Sequence, residues 1–120
     1  MPNLTLEYTP NLPAFDARAL LMECNQVLAD SGQFAEVDIK SRTAVVEPFV
    51  VGIATEPRGF IHATLALLSG RSPEIKRDLS QRLSTVLQRH FPPIPGLHLQ
   101  IVVELQDMDR DSFTKVYVTA

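Results

Sequence analysis

Two residues carry most of the chemical interest in this chain, Pro2 and Arg71. A proline directly after an initiator methionine becomes, once that methionine is removed, a secondary amine, the only such basic amine the genetic code supplies. An α-amino group titrates near pH 8, and burial beside cations disfavours its protonated form, so such a nitrogen can serve as a general base near neutrality. Proline is about one residue in twenty in ordinary proteins, so position two also receives it by chance. Arg71 stands in Gly70-Arg71-Ser72-Pro73, at the mouth of a predicted helix. A cation there works against the helix dipole, which favours negative charge at an N-terminus. Either it makes a solvated surface pair, or it meets an anion, with the guanidinium and free helix N–H groups converging on one carboxylate or phosphate. Lys40 and Arg42 lie two apart in an alternating run and so point the same way. They form a second cationic wall or, more commonly for such a pair, a charged edge.

The other reactive side chains fall into no motif. There is no phosphate-loop pattern, no glycine fingerprint, no metal-spaced histidine pair and no serine elbow between glycines. His62, His90 and His98 are scattered over two strands and a helix end, and read as partly buried or surface histidines rather than metal ligands. Cys24 sits on the inner stripe of a predicted helix and reads as core packing rather than as a nucleophile. No metal site and no cofactor are expected.

The elements that must position these residues follow from periodicity. Leu4, Leu6 and Tyr8 alternate with Asn3, Thr5 and Glu7 as a strand, stopped by Pro10, Asn11 and Pro13. From about Phe15 the spacing becomes helical, with Leu20, Cys24, Val27 and Leu28 on one stripe, closing near Asp30 before Ser31-Gly32. Val37 to Val46 alternates as a second strand. Residues 47 to 59, with Pro48, Gly52, Pro57 and Gly59, read as a connection. Phe60 to Leu68 reads as a strand with two apolar faces. Ser72 and Pro73 are a good N-cap and first helical residue for a helix carrying Ile75, Leu79, Leu83, Val86 and Leu87. Pro92-Pro93 and Pro95-Gly96 end it, and Leu97 to Leu105 alternates as a last long strand. An acidic turn, Asp107 to Asp111, then leads to a short tail strand through Val116 and Val118.

The sum is a β-α-β unit stated twice, over about residues 1–47 and 60–106, with a period of roughly 60 residues in one domain spanning 1–120. Long crossovers make the two strands of each half parallel, with a right-handed connection. The fold class is α+β in two layers, a four-stranded sheet with two helices on one face. Leaving several hundred Å² of apolar sheet face bare at about 25 cal/mol per Å² would forfeit many kcal/mol, so oligomerisation through the other face is expected.

Composition narrows the function classes. The chain has 120 residues, 45% hydrophobic and 21% charged, with a formal net charge of −3 and no Trp. An acidic chain without a basic face or interleaved aromatics is not expected to bind nucleic acid. Its longest apolar stretch, Thr43 to Thr55, is interrupted by Glu47, Pro48 and Gly52 and falls short of the roughly 20 residues a bilayer span needs. One cysteine and no signal-type N-terminus lead to the expectation of a cytoplasmic protein.

The Met-Pro start opening a strand, the two β-α-β halves, the strand containing Ile39-Lys40-Ser41-Arg42, and Phe60-Ile61-His62-Ala63-Thr64-Leu65 followed by Gly70-Arg71-Ser72 together resemble 5-carboxymethyl-2-hydroxymuconate Δ-isomerase. This is a branch of the tautomerase superfamily with an amino-terminal proline, and the resemblance covers essentially the whole chain. It implies a homotrimer with sheets packed inside and helices outside. It also implies cofactor-free isomerisation of a conjugated 2-hydroxy or 2-oxo unsaturated dicarboxylate in aromatic-compound breakdown. Carried over by position, Pro2 would be the base and Arg71 the carboxylate clamp. The family's second-strand arginine falls at Lys40, with Arg42 two positions on, a departure because lysine supplies charge without the bidentate fork. Two alternatives stay open: a non-catalytic oligomeric module that binds small ligands on the same scaffold, and a relative with changed chemistry such as hydration or dehalogenation.

Overall fold

In the computed structural model, which describes residues 1–120, the elements are β1 (Asn3–Tyr8), α1 (Ala17–Asp30), β2 (Lys40–Val45), β3 (Arg58–Leu68), α2 (Pro73–His90) and β4 (His98–Met108). Single 3₁₀ turns occupy Glu36–Asp38 and Arg110–Ser112. The sheet order is β2-β1-β3-β4, with β1 parallel to β2, β3 parallel to β4, and the central β1–β3 pair antiparallel. Each helix is thus the crossover of a parallel pair, as the two long connections predict.

The helices begin where local chemistry supplies an acceptor. Asp16 caps α1 by accepting the Ala19 N–H at 3.0 Å, and Ser72 caps α2 by accepting the Ile75 N–H at 3.2 Å. Such caps contribute about 1 kcal/mol each. At the far end of α1, Gly32 takes φ +77°, a left-handed conformation that glycine adopts without a Cβ penalty. Both helices lie on one sheet face. Leu20, Cys24 and Leu28 of α1 and Leu79, Leu83, Val86 and Leu87 of α2 pack on Leu4, Leu6, Ile61, Ala63, Leu65 and Leu67 in one core. Each buried leucine stabilises the fold by about 1.5–3 kcal/mol relative to exposure. An edge-on aromatic row, Tyr8–Phe15–Phe91, with centroids 5.0 and 5.1 Å apart, ties the C-terminal end of β1 to both helices. The opposite end of β1, where Pro2 lies, is left for other contacts.

Several expectations need correction, among them the start of β3, which lies at Arg58 inside the expected 47–59 connection. Val37 is not in a strand: the Asp38 and Ile39 N–H groups donate to Ala35 and Glu36 carbonyls in a 3₁₀ turn, Val37 is exposed, and β2 starts only at Lys40. The tail through Val116 and Val118 forms no strand, and both valines face solvent. It is held by side chains rather than by a ladder, as described below. Asp107 belongs to β4, so the last turn is narrower than the acidic run implies. The open face of the sheet is also more polar than the Phe60–Leu68 run suggests. His62 lies 2.7 Å from Glu104, and Arg42 donates to Asn3 at 2.5 Å, so Phe60, Ala66 and Leu68 share that face with a hydrogen-bonded polar set.

Candidate active site

The N-terminal end of β1 lies between the start of β2 and the end of β3. Pro2 is buried there, and its carbonyl accepts the Lys40 N–H at 3.2 Å. Beside it is a cleft of about 380 Å³ on the open side of the sheet, lined by Met1, Asn3, Lys40, Phe113, Lys115 and Tyr117 among others. That volume suits a small organic molecule.

Register decides how the predicted cations are placed. Lys40 pairs with Asn3 and Arg42 with Thr5, so the two do share a face, but only Lys40 reaches the cleft. Its Nζ donates to the Asp38 carbonyl at 2.6 Å. The Arg42 guanidinium, one pleat further along, is engaged by Asn3 and Thr5.

Arg71 reaches its position through the β3–α2 turn, where Gly70 adopts φ +116° and Ser69 N–H donates to the Met108 carbonyl at 3.0 Å. A Cβ on Gly70 would meet the Arg110 guanidinium at 3.5 Å. The Arg71 side chain folds back from α2. It donates through Nε to Gln33 Oε1 at 3.3 Å, through Nη2 to the Gln33 carbonyl at 3.0 Å and through Nη1 to the Leu68 carbonyl at 3.3 Å. Its guanidinium carbon also sits 4.6 Å from the centre of the Phe34 ring. The convergence of Arg71 with free N–H groups of α2, one of the sequence expectations, is therefore not how the side chain is held. Three of the five guanidinium N–H donors are used within the chain and two remain. Burial, and after it the charge of Arg110, lowers the Arg71 pKa from its ordinary value.

These cations act together on the amino terminus. Burial is the largest cause that lowers the pKa of the Met1 α-amino group from its ordinary value, and the charge of Arg71 is the next. Lys115 and Lys40 push the same way, while Asp38 opposes them. Pro2, Lys40 and Arg71 thus share one end of the sheet, and Arg42 stands apart.

Sequence reasoning missed three residues at this end. Asp38, mostly buried, pairs with Lys115 and accepts the Tyr117 hydroxyl hydrogen bond. Hydrogen bonds from Lys115 and then Tyr117 lower the Asp38 pKa. Burial opposes the charge of Lys115, but its contacts with Asp38 and Tyr117 outweigh this and raise its pKa. The available signal was the alternation Lys115–Val116–Tyr117–Val118, which placed two polar-tipped side chains on one side of the tail without indicating their partner 77 residues away.

The remaining reactive groups lie elsewhere. Cys24 is buried in the core, and burial, with a smaller effect of Glu23, pushes its thiol up to about 12. His62 faces Glu104, His90 faces Glu23 and His98 faces Gln100, and no three His, Cys, Asp or Glu side chains are grouped as metal ligands. No helix is long and apolar enough to cross a membrane.

A family model for 5-carboxymethyl-2-hydroxymuconate isomerase matches residues 2–117. The crystal structure of a 5-carboxymethyl-2-hydroxymuconate isomerase from Deinococcus radiodurans R1 is similar at 31% identity and a TM-score of 0.88, over 96% of this chain and 88% of that one. A 5-carboxymethyl-2-hydroxymuconate delta-isomerase aligns at 14% identity and TM-score 0.73, over 98% and 89% of the two chains. A fused 4-OT wild type symmetric trimer aligns at 15% and 0.68, over 92% and 89%. These two share the fold. No curated protein sequence matches. The match over nearly the whole length, together with the 31% identical relative, shows that the chain belongs to the 5-carboxymethyl-2-hydroxymuconate isomerase family and is an isomerase.

Proposed function

We propose that the chain is a cofactor-free isomerase that moves a proton along a conjugated 2-hydroxy or 2-oxo unsaturated polycarboxylate of the 5-carboxymethyl-2-hydroxymuconate type, in the breakdown of aromatic compounds. The amino-terminal nitrogen of Pro2, freed by removal of Met1, is the base. The observation that carries this reading is the cleft beside a buried Pro2, with Arg71, Lys115 and Lys40 close enough to disfavour the charged form of the Met1 amine, one residue from the Pro2 nitrogen.

The chemistry follows from the groups present. A neutral Pro2 amine takes the proton from the 2-hydroxyl of the dienol. The oxygen lone pair closes to a carbonyl, the double bonds shift along the chain, and the protonated amine returns the proton to a distal carbon. No atom is gained or lost, and no electron leaves the system. Burial and neighbouring cations disfavour the charged form of an amine, which favours its service as a general base. Charge accumulates on the 2-oxygen and the adjoining carboxylate as the proton leaves. Cations fixed at this end of the sheet stabilise that charge without reorganising. The two unused donors of Arg71 and the ammonium of Lys40 are the groups proposed for the substrate carboxylates. Arg42, occupied by Asn3 and Thr5, is proposed as a support that orients Asn3 at the cleft.

The partner proposed is further copies of this chain, in a trimer closed through the open sheet face. Support comes from the half-exposed Phe60, Ala66 and Leu68 on that face and from the trimeric form of the fused 4-OT neighbour. Sedimentation should then give three times the 13.3 kDa chain mass.

The decisive experiment replaces Pro2 with Ala in protein shown by intact mass to lack Met1, and follows ketonisation of a 2-hydroxymuconate by ultraviolet absorbance. Loss of most turnover is expected, because a primary amine at this position differs in basicity and position. Unchanged turnover overturns the proline-base mechanism.

A further inference from the structure

Lys115 belongs to a segment, residues 113–120, that has no helix or strand, yet its side chain is only 20% exposed. It crosses to the amino terminus and is held there by three contacts. It pairs with Asp38, donates to the Tyr117 hydroxyl at 3.0 Å, and donates to the Met1 sulfur at 2.8 Å. Its ammonium also lies 4.4 Å from the centre of the Tyr117 ring. An ammonium has three N–H donors, and these three partners account for all of them.

Two of the three partners are permanent. Asp38 sits in the turn before β2, and Tyr117 lies two residues along the tail, closing a small cycle in which the Tyr117 hydroxyl donates to the same Asp38 oxygen. The third partner, Met1, is the residue that must leave if Pro2 is to be a base. Its removal opens the space that the sulfur fills and frees one Lys115 donor at the place where the Pro2 amine is exposed. Lys115 and Lys40 both line the cleft. A dicarboxylate held with one end on the cations beside Pro2 therefore finds a second, pre-oriented ammonium within the same cleft.

We propose that Lys115 is a carboxylate-binding residue of the substrate site and sets a preference for dicarboxylates over monocarboxylates, with Asp38 and Tyr117 as its positioning residues. The inference rests on the site proposed above and adds to it a residue outside the duplicated β-α-β framework. Asp38 does not cancel the attraction. It holds the ammonium still and charged, and an ion pair at this partly solvated position leaves the free N–H available to a carboxylate oxygen. Holding the side chain in place before binding also removes much of the rotamer entropy a flexible lysine would otherwise lose on contact.

The test uses the full chain with Met1 absent by intact mass, and two probes of equal length, a conjugated hexadienedioate and the corresponding hexadienoate, titrated by calorimetry. Wild-type protein should bind the dicarboxylate at least tenfold more tightly. Lys115→Gln should weaken dicarboxylate binding about tenfold while the monocarboxylate affinity moves less than twofold, so that the discrimination collapses. Lys115→Arg should retain it. Lys115→Met, which keeps a long unbranched side chain and removes the charge, provides a second route if the glutamine variant unfolds, and should give the same collapse. Equal weakening of both probes marks a purely structural tail and overturns the proposal. So does undiminished discrimination in Lys115→Gln and Lys115→Met, with the proposed isomerase site left standing. If the wild type binds neither probe, the substrate class proposed above falls, and this inference falls with it.

Discussion

Arg71 is asked to do two things at once, and replacing it with glutamine separates them. Its three hydrogen bonds, to Gln33 twice and to Leu68, and its stacking over Phe34 tie the α1–β2 connection to the β3–α2 turn. Hydrogen bonds from a charged donor contribute about 1.5–3 kcal/mol when buried, and a cation–π contact about 0.5–1 kcal/mol at an exposed site. The side chain is partly exposed, its bonds lie at 3.0–3.3 Å, and glutamine can remake one of them, which discounts the loss to about 2 kcal/mol. At about 3–5 °C per kcal/mol for a chain of this size, Arg71→Gln should lower the melting temperature by roughly 6–10 °C at fixed protein concentration. Catalysis should suffer separately. Loss of a guanidinium that holds a carboxylate should lower kcat/KM about 100-fold, close to 2.7 kcal/mol of transition-state stabilisation. Arg71→Lys should fall between, because it keeps the charge and loses the fork. Scanning calorimetry and steady-state ketonisation on the same preparations read both. A variant that melts 6–10 °C lower yet keeps kcat/KM within twofold would show that Arg71 is a rivet between two loops and not a clamp. An unchanged melting temperature would refute the structural arithmetic.

Two further outcomes follow from groups away from the cleft. Glu23 joins the helices through His90 and Arg89, which lower its pKa. A depressed carboxylate contributes stability that is present above its unfolded pKa and lost as pH falls through the folded one. Glu23→Gln should therefore be less stable than wild type at neutral pH, with the gap closing below the ordinary glutamate range, as read by urea midpoints across pH. Cys24, buried and with its thiol pushed up to about 12, should not react with an aromatic disulfide reagent at pH 8 while the chain is folded, and should release one equivalent after denaturation. Rapid labelling of the folded chain would show that α1 opens.

How far the fold was legible depends on how local its determinants are. Both helices could be read because their apolar stripes keep helical spacing and because Gly32 marks the end of α1 and Ser72 and Pro73 the start of α2; the Asp16 cap of α1 was not picked out. Three strands could be read from alternation and β3 from its apolar run, but the starts of β2 and β3 were misplaced. A 3₁₀ turn that buries Asp38 looks like alternation when only hydrophobicity is counted, and Arg58 and Gly59 carry no apolar side chain to announce a strand. Gly59 is required for another reason: a Cβ would meet the Thr9 hydroxyl at 2.7 Å, where that hydroxyl accepts the Phe60 N–H. That reason lies fifty residues away in sequence. For the candidate site, the face shared by Lys40 and Arg42 was legible and the choice between them was not, since the Asn3–Lys40 register alone puts Lys40 at the end of the sheet.

Charge was the least informative feature at the level of the whole chain and the most informative at this one end. A net charge of −3 gives no hint that Arg71, Lys115 and Lys40 all act on the amino terminus. Three cations gathered without compensation would repel one another and hold the empty site open. Asp38 meets that cost: its carboxylate pairs with Lys115, its carbonyl accepts Lys40 Nζ, and its charge partly offsets the others at the amine. A single buried acid then lets the cluster exist before substrate arrives. A dianion entering the cleft adds the charge that the cluster lacks, so the empty site is stable enough to fold and electrostatically unfinished enough to bind.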